Sequence, residues 1–145
     1  MRQDQEAATP GHGRPAATGP GREAPRLWCR LDAMLVYDSR LALRPAGVRA
    51  VRAGLPRLIF QAPGYEVDLQ ARPGPTAGRL RVVGQVLDDA YEPCAGWVVT
   101  EGARGVAKVA LDGCGHFAID GLAPGGHWLE VELPRARITL PPVYL

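Results

Sequence analysis

The side chains here best suited to chemistry are Cys94, Cys114, His116 and His127. Thiolates and imidazoles ligate zinc, usually delivered in pairs two to four residues apart. Cys114-Gly-His116 is one residue too tight for that arrangement, and Cys94 and His127 are remote in sequence. The expectation is therefore no metal and no cofactor, with Cys114 and His116 on a hairpin tip and Cys94 and His127 in the core. Covalent catalysis needs a nucleophile, a base in reach and a group to orient the base. The chain has a single serine, Ser39, without a Gly-x-Ser-x-Gly setting. Asp88, Asp89, Asp112 and Asp120 sit beside glycine or in polar breaks and read as turn formers. No glycine-rich stretch has the spacing of a phosphate or dinucleotide loop. These residues predict a chain that is not an enzyme.

A second group points to binding. Arg40, Arg44, Arg49, Arg52 and Arg57 fall within 18 residues that contain no acid. Such a run is either a solvated basic face or a patch for an acidic protein partner. No aromatic residue interleaves with it, which argues against single-stranded nucleic acid, and the formal net charge of +2 is far from a nucleic-acid binder's. The charge is nevertheless uneven: residues 27–75 carry net +3 and residues 76–145 net −2. Carbohydrate is the alternative ligand, because sugar rings stack on exposed aromatics. Trp128, alternating with Glu130 and Glu132, and Trp28 are the candidates.

Alternation of apolar and polar residues supplies the elements that would position these groups. Leu58, Phe60 and Ala62 face one way, then Pro63-Gly64 makes a type II turn. Tyr65, Val67, Leu69 and Ala71 follow, alternating with Glu66, Asp68, Gln70 and Arg72. Phe117 and Ile119, then Leu129, Val131 and Leu133, repeat the period of two. Strands with one wet face indicate an antiparallel β-sandwich and not a parallel sheet buried on both faces.

Four pieces within residues 79–133 carry a resemblance. They are Gly84-Gln-Val86-Leu-Asp88, Pro93-Cys-Ala-Gly-Trp-Val-Val99, Asp112-Gly-Cys-Gly115-His-Phe117 and Gly121-Leu122-Ala-Pro124-Gly125-Gly-His-Trp-Leu129-Glu-Val131. In that order they resemble the carboxypeptidase regulatory-like domain, a small sandwich of the transthyretin kind. The resemblance implies an all-β, transthyretin-like or immunoglobulin-like sandwich that acts as an accessory or binding module. Trp97, Cys94 and His127 depart from the family's usual alanine, valine and tyrosine. Residues 33–72 also resemble a segment of small bacterial proteins encoded beside extracytoplasmic-function sigma factors, on Leu35-Val-Tyr-Asp-Ser39, Leu58-Ile-Phe60 and Val67-Asp-Leu69.

The chain of 145 residues suits one sandwich over 27–145, with strands of 27–72 added to the edge of the 79–133 core. Residues 1–26, rich in Pro, Gly, Ala and charge, read as a disordered tail. Pro45 to Gly54 reads as a short helix or an irregular excursion. Ile138-Thr-Leu140, stopped by Pro141-Pro142, reads as an edge strand with a docked terminus. The polar start has no signal-peptide core, no apolar run is long enough to span a membrane, and the odd count of 3 cysteines suits reduced thiols. Together these predict a cytoplasmic protein-interaction module.

Overall fold

The computed structural model describes residues 29–41, 55–102 and 105–145. The tail expected over 1–26 and the helix or excursion expected over 45–54 lie outside them. Among the described residues every regular element is a strand. The strands are β1 (Cys29–Asp32), β2 (Met34–Asp38), β3 (Arg57–Ala62), β4 (Tyr65–Pro73), β5 (Leu80–Asp88) and β6 (Trp97–Gly102). After them come β7 (Gly105–Ala110), β8 (His116–Leu122), β9 (Gly126–Glu132), β10 (Ala136–Thr139) and β11 (Val143–Tyr144). They form two sheets, one ordered β2-β3-β4-β5-β8 and the other β1-β10-β9-β6-β7, with β11 also beside β9.

The alternation explains how the sheets meet. Leu58, Phe60, Val67, Leu69, Val82, Val86, Phe117 and Ile119 turn inward from the first sheet, and Val98, Leu129, Val131 and Ile138 from the second. All belong to one apolar cluster, so the architecture is an all-β sandwich with its core between two sheets. The Pro63-Gly64 hairpin is as expected: β3 and β4 pair from Arg57↔Gln70 to Ala62↔Tyr65, and Gly64 takes φ +80°, the left-handed value a type II turn needs. Gly84 is required for a different reason. A Cβ there would sit 2.5 Å from Asp68 O and 2.5 Å from the Phe117 ring, which occupies that space against the core.

The sandwich is mostly antiparallel as expected, with one parallel pair among the described strands: β1 pairs β10 from Cys29↔Ala136 to Asp32↔Thr139. The chain then switches sheets at Ala33, whose amide donates to Thr139 O at 2.9 Å, and β2 begins in the opposite sheet. One expectation is corrected: the Ile138 segment is not an edge, because β10 lies between β1 and β9. Pro141 and Pro142 fall in the gap between β10 and β11 along the same side of β9, where no ladder amide is needed. The docked terminus is as expected: Leu140 and Val143 are buried, and Leu145 and Gly125 exchange backbone hydrogen bonds at 3.0 Å.

Phe60 and Leu69 are almost wholly buried on the hairpin. Truncating either to alanine should cost about 2–5 kcal/mol in denaturant melts. A loss below about 1 kcal/mol would show that the front half packs loosely.

Candidate functional site

The strand order of the first sheet places its outward side chains in rows. Asp68 pairs with Gln85 and Gln85 with His116; one row over, Arg57 pairs with Gln70, Gln70 with Val83 and Val83 with Ala118. These residues floor an open trough of about 680 Å³ on the outer face, rimmed by Asp112 and His116 at one end. Its polar groups are largely satisfied by each other. Arg57 Nη2 donates to Asp68 Oδ2 at 2.5 Å, and Arg72 Nη2 to Gln70 Oε1 at 2.8 Å. The Asp68 carboxylate holds the Arg57 guanidinium above its ordinary pKa.

The rim is built by residues 111–115. They do not form a hairpin tip: β7 belongs to one sheet and β8 to the other, so this turn carries the chain across the sandwich. Asp112 N donates to His116 O at 2.9 Å and Gly115 N to Asp112 O at 2.9 Å. Gly115 has φ +73°, and a Cβ on it would meet Val86 O at 2.5 Å, so only glycine fits. Asp112 Oδ1 accepts the amides of both Cys114 and His116 at 2.8 Å. Those two N–H groups, His116's first, hold the Asp112 carboxyl below the usual carboxylate range. Gln85 Nε2 donates to Cys114 O at 3.0 Å and ties the turn to β5.

The turn brings Asp112, Cys114 and His116 together, with their ligating atoms all within 4.8 Å of one another and all three side chains exposed. The other two candidates are elsewhere. His127 points into the core and donates from Nε2 to Ala123 O at 2.7 Å. Cys94 is half-buried; burial, and then the Asp88 carboxylate, push its thiol pKa up. Asp88 is the turn former expected, its Oδ1 accepting from the amides of Ala90 and Glu92 at 2.9 Å. Ser39 Oγ accepts from Arg57 N at 2.9 Å and closes the β2–β3 ladder.

Of the five arginines, Arg44, Arg49 and Arg52 lie outside the described residues. Arg40 makes a fork to Asp38, with Nη2–Oδ2 at 2.7 Å, and also donates to Tyr144 O at 2.9 Å. Arg57 is taken by Asp68. Beside them, sequence patterning missed a feature of β2. Met34, Leu35, Val36 and Tyr37 are all exposed, on both faces of an edge strand, so no wet-and-dry alternation marks it. Trp28 lies outside the described residues, and Trp128 is exposed as its alternation predicts. Trp97 joins it on the outer face of the second sheet, with Lys108 Nζ 5.3 Å from its ring centroid. Lys108 and Arg137 both bind Glu132, and Arg137 Nε also reaches Glu130 at 2.7 Å.

The chain matches no family model, no curated protein and no solved structure. No helix among the described residues is long and apolar enough to cross a membrane.

Asp112's cap on the turn sets a pH dependence. A carboxyl whose folded pKa is depressed contributes stability above its unfolded value of about 4, and that contribution is lost as pH falls through the folded value. Carboxyl-carbon NMR should place the Asp112 midpoint below an ordinary aspartate's, and Asp112→Ala should flatten the acid limb of the stability profile. A midpoint at or above the ordinary value contradicts the capping role.

Proposed function

We propose that this chain is a protein-interaction module that docks its partner through β2. The observation that carries this reading is the run Met34-Leu-Val-Tyr37, exposed on an edge strand with no pairing partner on its outer side among the described residues. Native edge strands are normally blunted by charge, proline or a cover, because an apolar edge invites association. Here the ladder to β3 shifts register between Leu35 and Tyr37. That irregularity weakens strand addition as a mode of contact and leaves the side chains to make it. Leu35, Val36, Tyr37 and Leu41, with Asp38 among them, line a groove of about 280 Å³.

The four sequence pieces that resemble the carboxypeptidase regulatory-like domain fall on β5, the approach to β6, the 112–117 turn and β9. Their order along the strands of a sandwich supports that kinship, and the kinship in turn supports an accessory role. The likeness of 33–72 to proteins encoded beside sigma factors suggests a cytoplasmic regulatory partner. The basic segment contributes through Arg44, Arg49 and Arg52, since the side chains of Arg40 and Arg57 are engaged within the fold.

Carbohydrate binding is a second reading, favoured by Trp97 and Trp128 on one outer face. Trp97 lies opposite Glu132 and Trp128 opposite Glu101, which separates the rings by about 13 Å along adjacent strands. Trp128→Ala should abolish retention on a polysaccharide panel if that reading holds.

The docking reading is tested by capture of the partner from native lysate with three baits. Val36→Lys/Tyr37→Lys should reduce capture by at least about tenfold, the usual consequence of losing an apolar anchor, without lowering the melting temperature. Arg49→Glu/Arg52→Glu should mainly slow association and steepen with falling salt. Equal capture by wild type and the β2 variant would remove β2 from the interface.

A further inference from the structure

We propose that Asp112, Cys114 and His116 form a three-ligand site for a borderline divalent cation of the zinc class, at the rim of the trough. This departs from the expectation drawn from the Cys114-Gly-His116 spacing, because the Asp112 carboxylate adds a third donor to the sulfur and nitrogen. Sulfur, nitrogen and oxygen together select a zinc-like ion over calcium or magnesium, which require sets of oxygen ligands.

The distances suit such an ion. A tetrahedral centre with bonds of about 2.0–2.3 Å separates its ligands by about 3.3–3.8 Å. His116 Nδ1 is already 3.7 Å from Asp112 Oδ2. All three donors lie within 4.8 Å, so side-chain rotations of about 1 Å at exposed positions bring them to bonding geometry. The backbone needs no change. The turn is held by the 112–116 hydrogen bonds, by left-handed Gly115 and by Gln85 on the Cys114 carbonyl. Gly113 and Gly115 alternate with the three ligands, so neither intervening residue adds a side chain beside the ion.

The structural demands on these residues leave the donors free. Asp112 uses Oδ1 to cap the turn, and Oδ2 is the oxygen beside the imidazole. The Cys114 thiol is exposed and makes no hydrogen bond among the described residues. No hydrogen bond joins that thiol to His116, which distinguishes the cluster from a nucleophile activated by its base. Three protein ligands leave a coordination position vacant, the arrangement of zinc sites that take an exchangeable water or ligand. Asp112 and His116 also line the trough, so that position adjoins Gln85 and the floor of the outer face.

The test is titration of the untagged, reduced, metal-free full chain with Co²⁺, followed by displacement with Zn²⁺. One equivalent of Co²⁺ should bind with a thiolate-to-cobalt charge-transfer band that Zn²⁺ abolishes. Cys114→Ser should remove the band. His116→Ala and Asp112→Asn, the latter keeping the turn's acceptor, should each weaken binding by at least about tenfold. Thermal melts of the metal-free variants confirm that they are folded, and Cys29→Ser and Cys94→Ser should bind as wild type does. Absence of the band in the wild type, or its survival in Cys114→Ser, overturns the site.

Discussion

The long ladder between β4 and β5 is the constraint on which the rest depends. It runs in unbroken register from Tyr65↔Asp88 to Pro73↔Leu80 and joins the front hairpin to the strands of the back half. Because the side-chain period is two, a slip of β4 by one residue against β5 would turn Val67, Leu69 and Ala71 out of the core. The same slip would bury Glu66, Asp68 and Gln70, charged and polar groups that are costly inside the sandwich. The apolar core and the polar trough are thus two faces of one register. Gly84 sits at its centre and lets the Phe117 ring lie against the ladder.

Around that ladder the chain crosses repeatedly between sheets, and each crossing is secured by specific bonds. Ala33 makes the first crossing with its amide on Thr139 O. The 111–115 turn makes another and is held at both ends: Leu111 N donates to Gly96 O, and Val86 N donates to Gly115 O, each at 2.9 Å. A connection so tied gives fixed positions to side chains that burial does not constrain. This is how an exposed turn can hold three donors in one place, with glycine required at 115. By contrast, the apolar side chains of β2 have no such network on their outer side among the described residues.

Much of the fold could be read from local alternation. The β3–β4 hairpin, the inward faces of β8 and β9 and the outward Trp128 all follow from neighbours in sequence. What could not be read depends on pairing between distant segments. Cys29–Asp32 carries nothing that announces a parallel partner more than a hundred residues away. Ile138 next to two prolines looks like an edge, and only the strand outside it makes it central. The trough needs the order β3-β4-β5-β8, which no single stretch encodes. Asp112 was legible as a turn former, and the same geometry that confirms this aims its second oxygen at His116. The exposed face of β2 was hidden because a strand apolar on both sides has no pattern to distinguish wet from dry.

Through the β4–β5 ladder the front strands and the back strands form one cooperative core. Native-state hydrogen exchange measures that cooperativity directly, since separate cooperative units open with different free energies. Amides of Val67 and Leu69 in β4 should exchange with the same opening free energy as those of Val82 in β5 and Val131 in β9. They should also share one dependence on denaturant. Exchange of the β3–β4 amides at a clearly lower free energy, while β9 stays protected, would contradict the account.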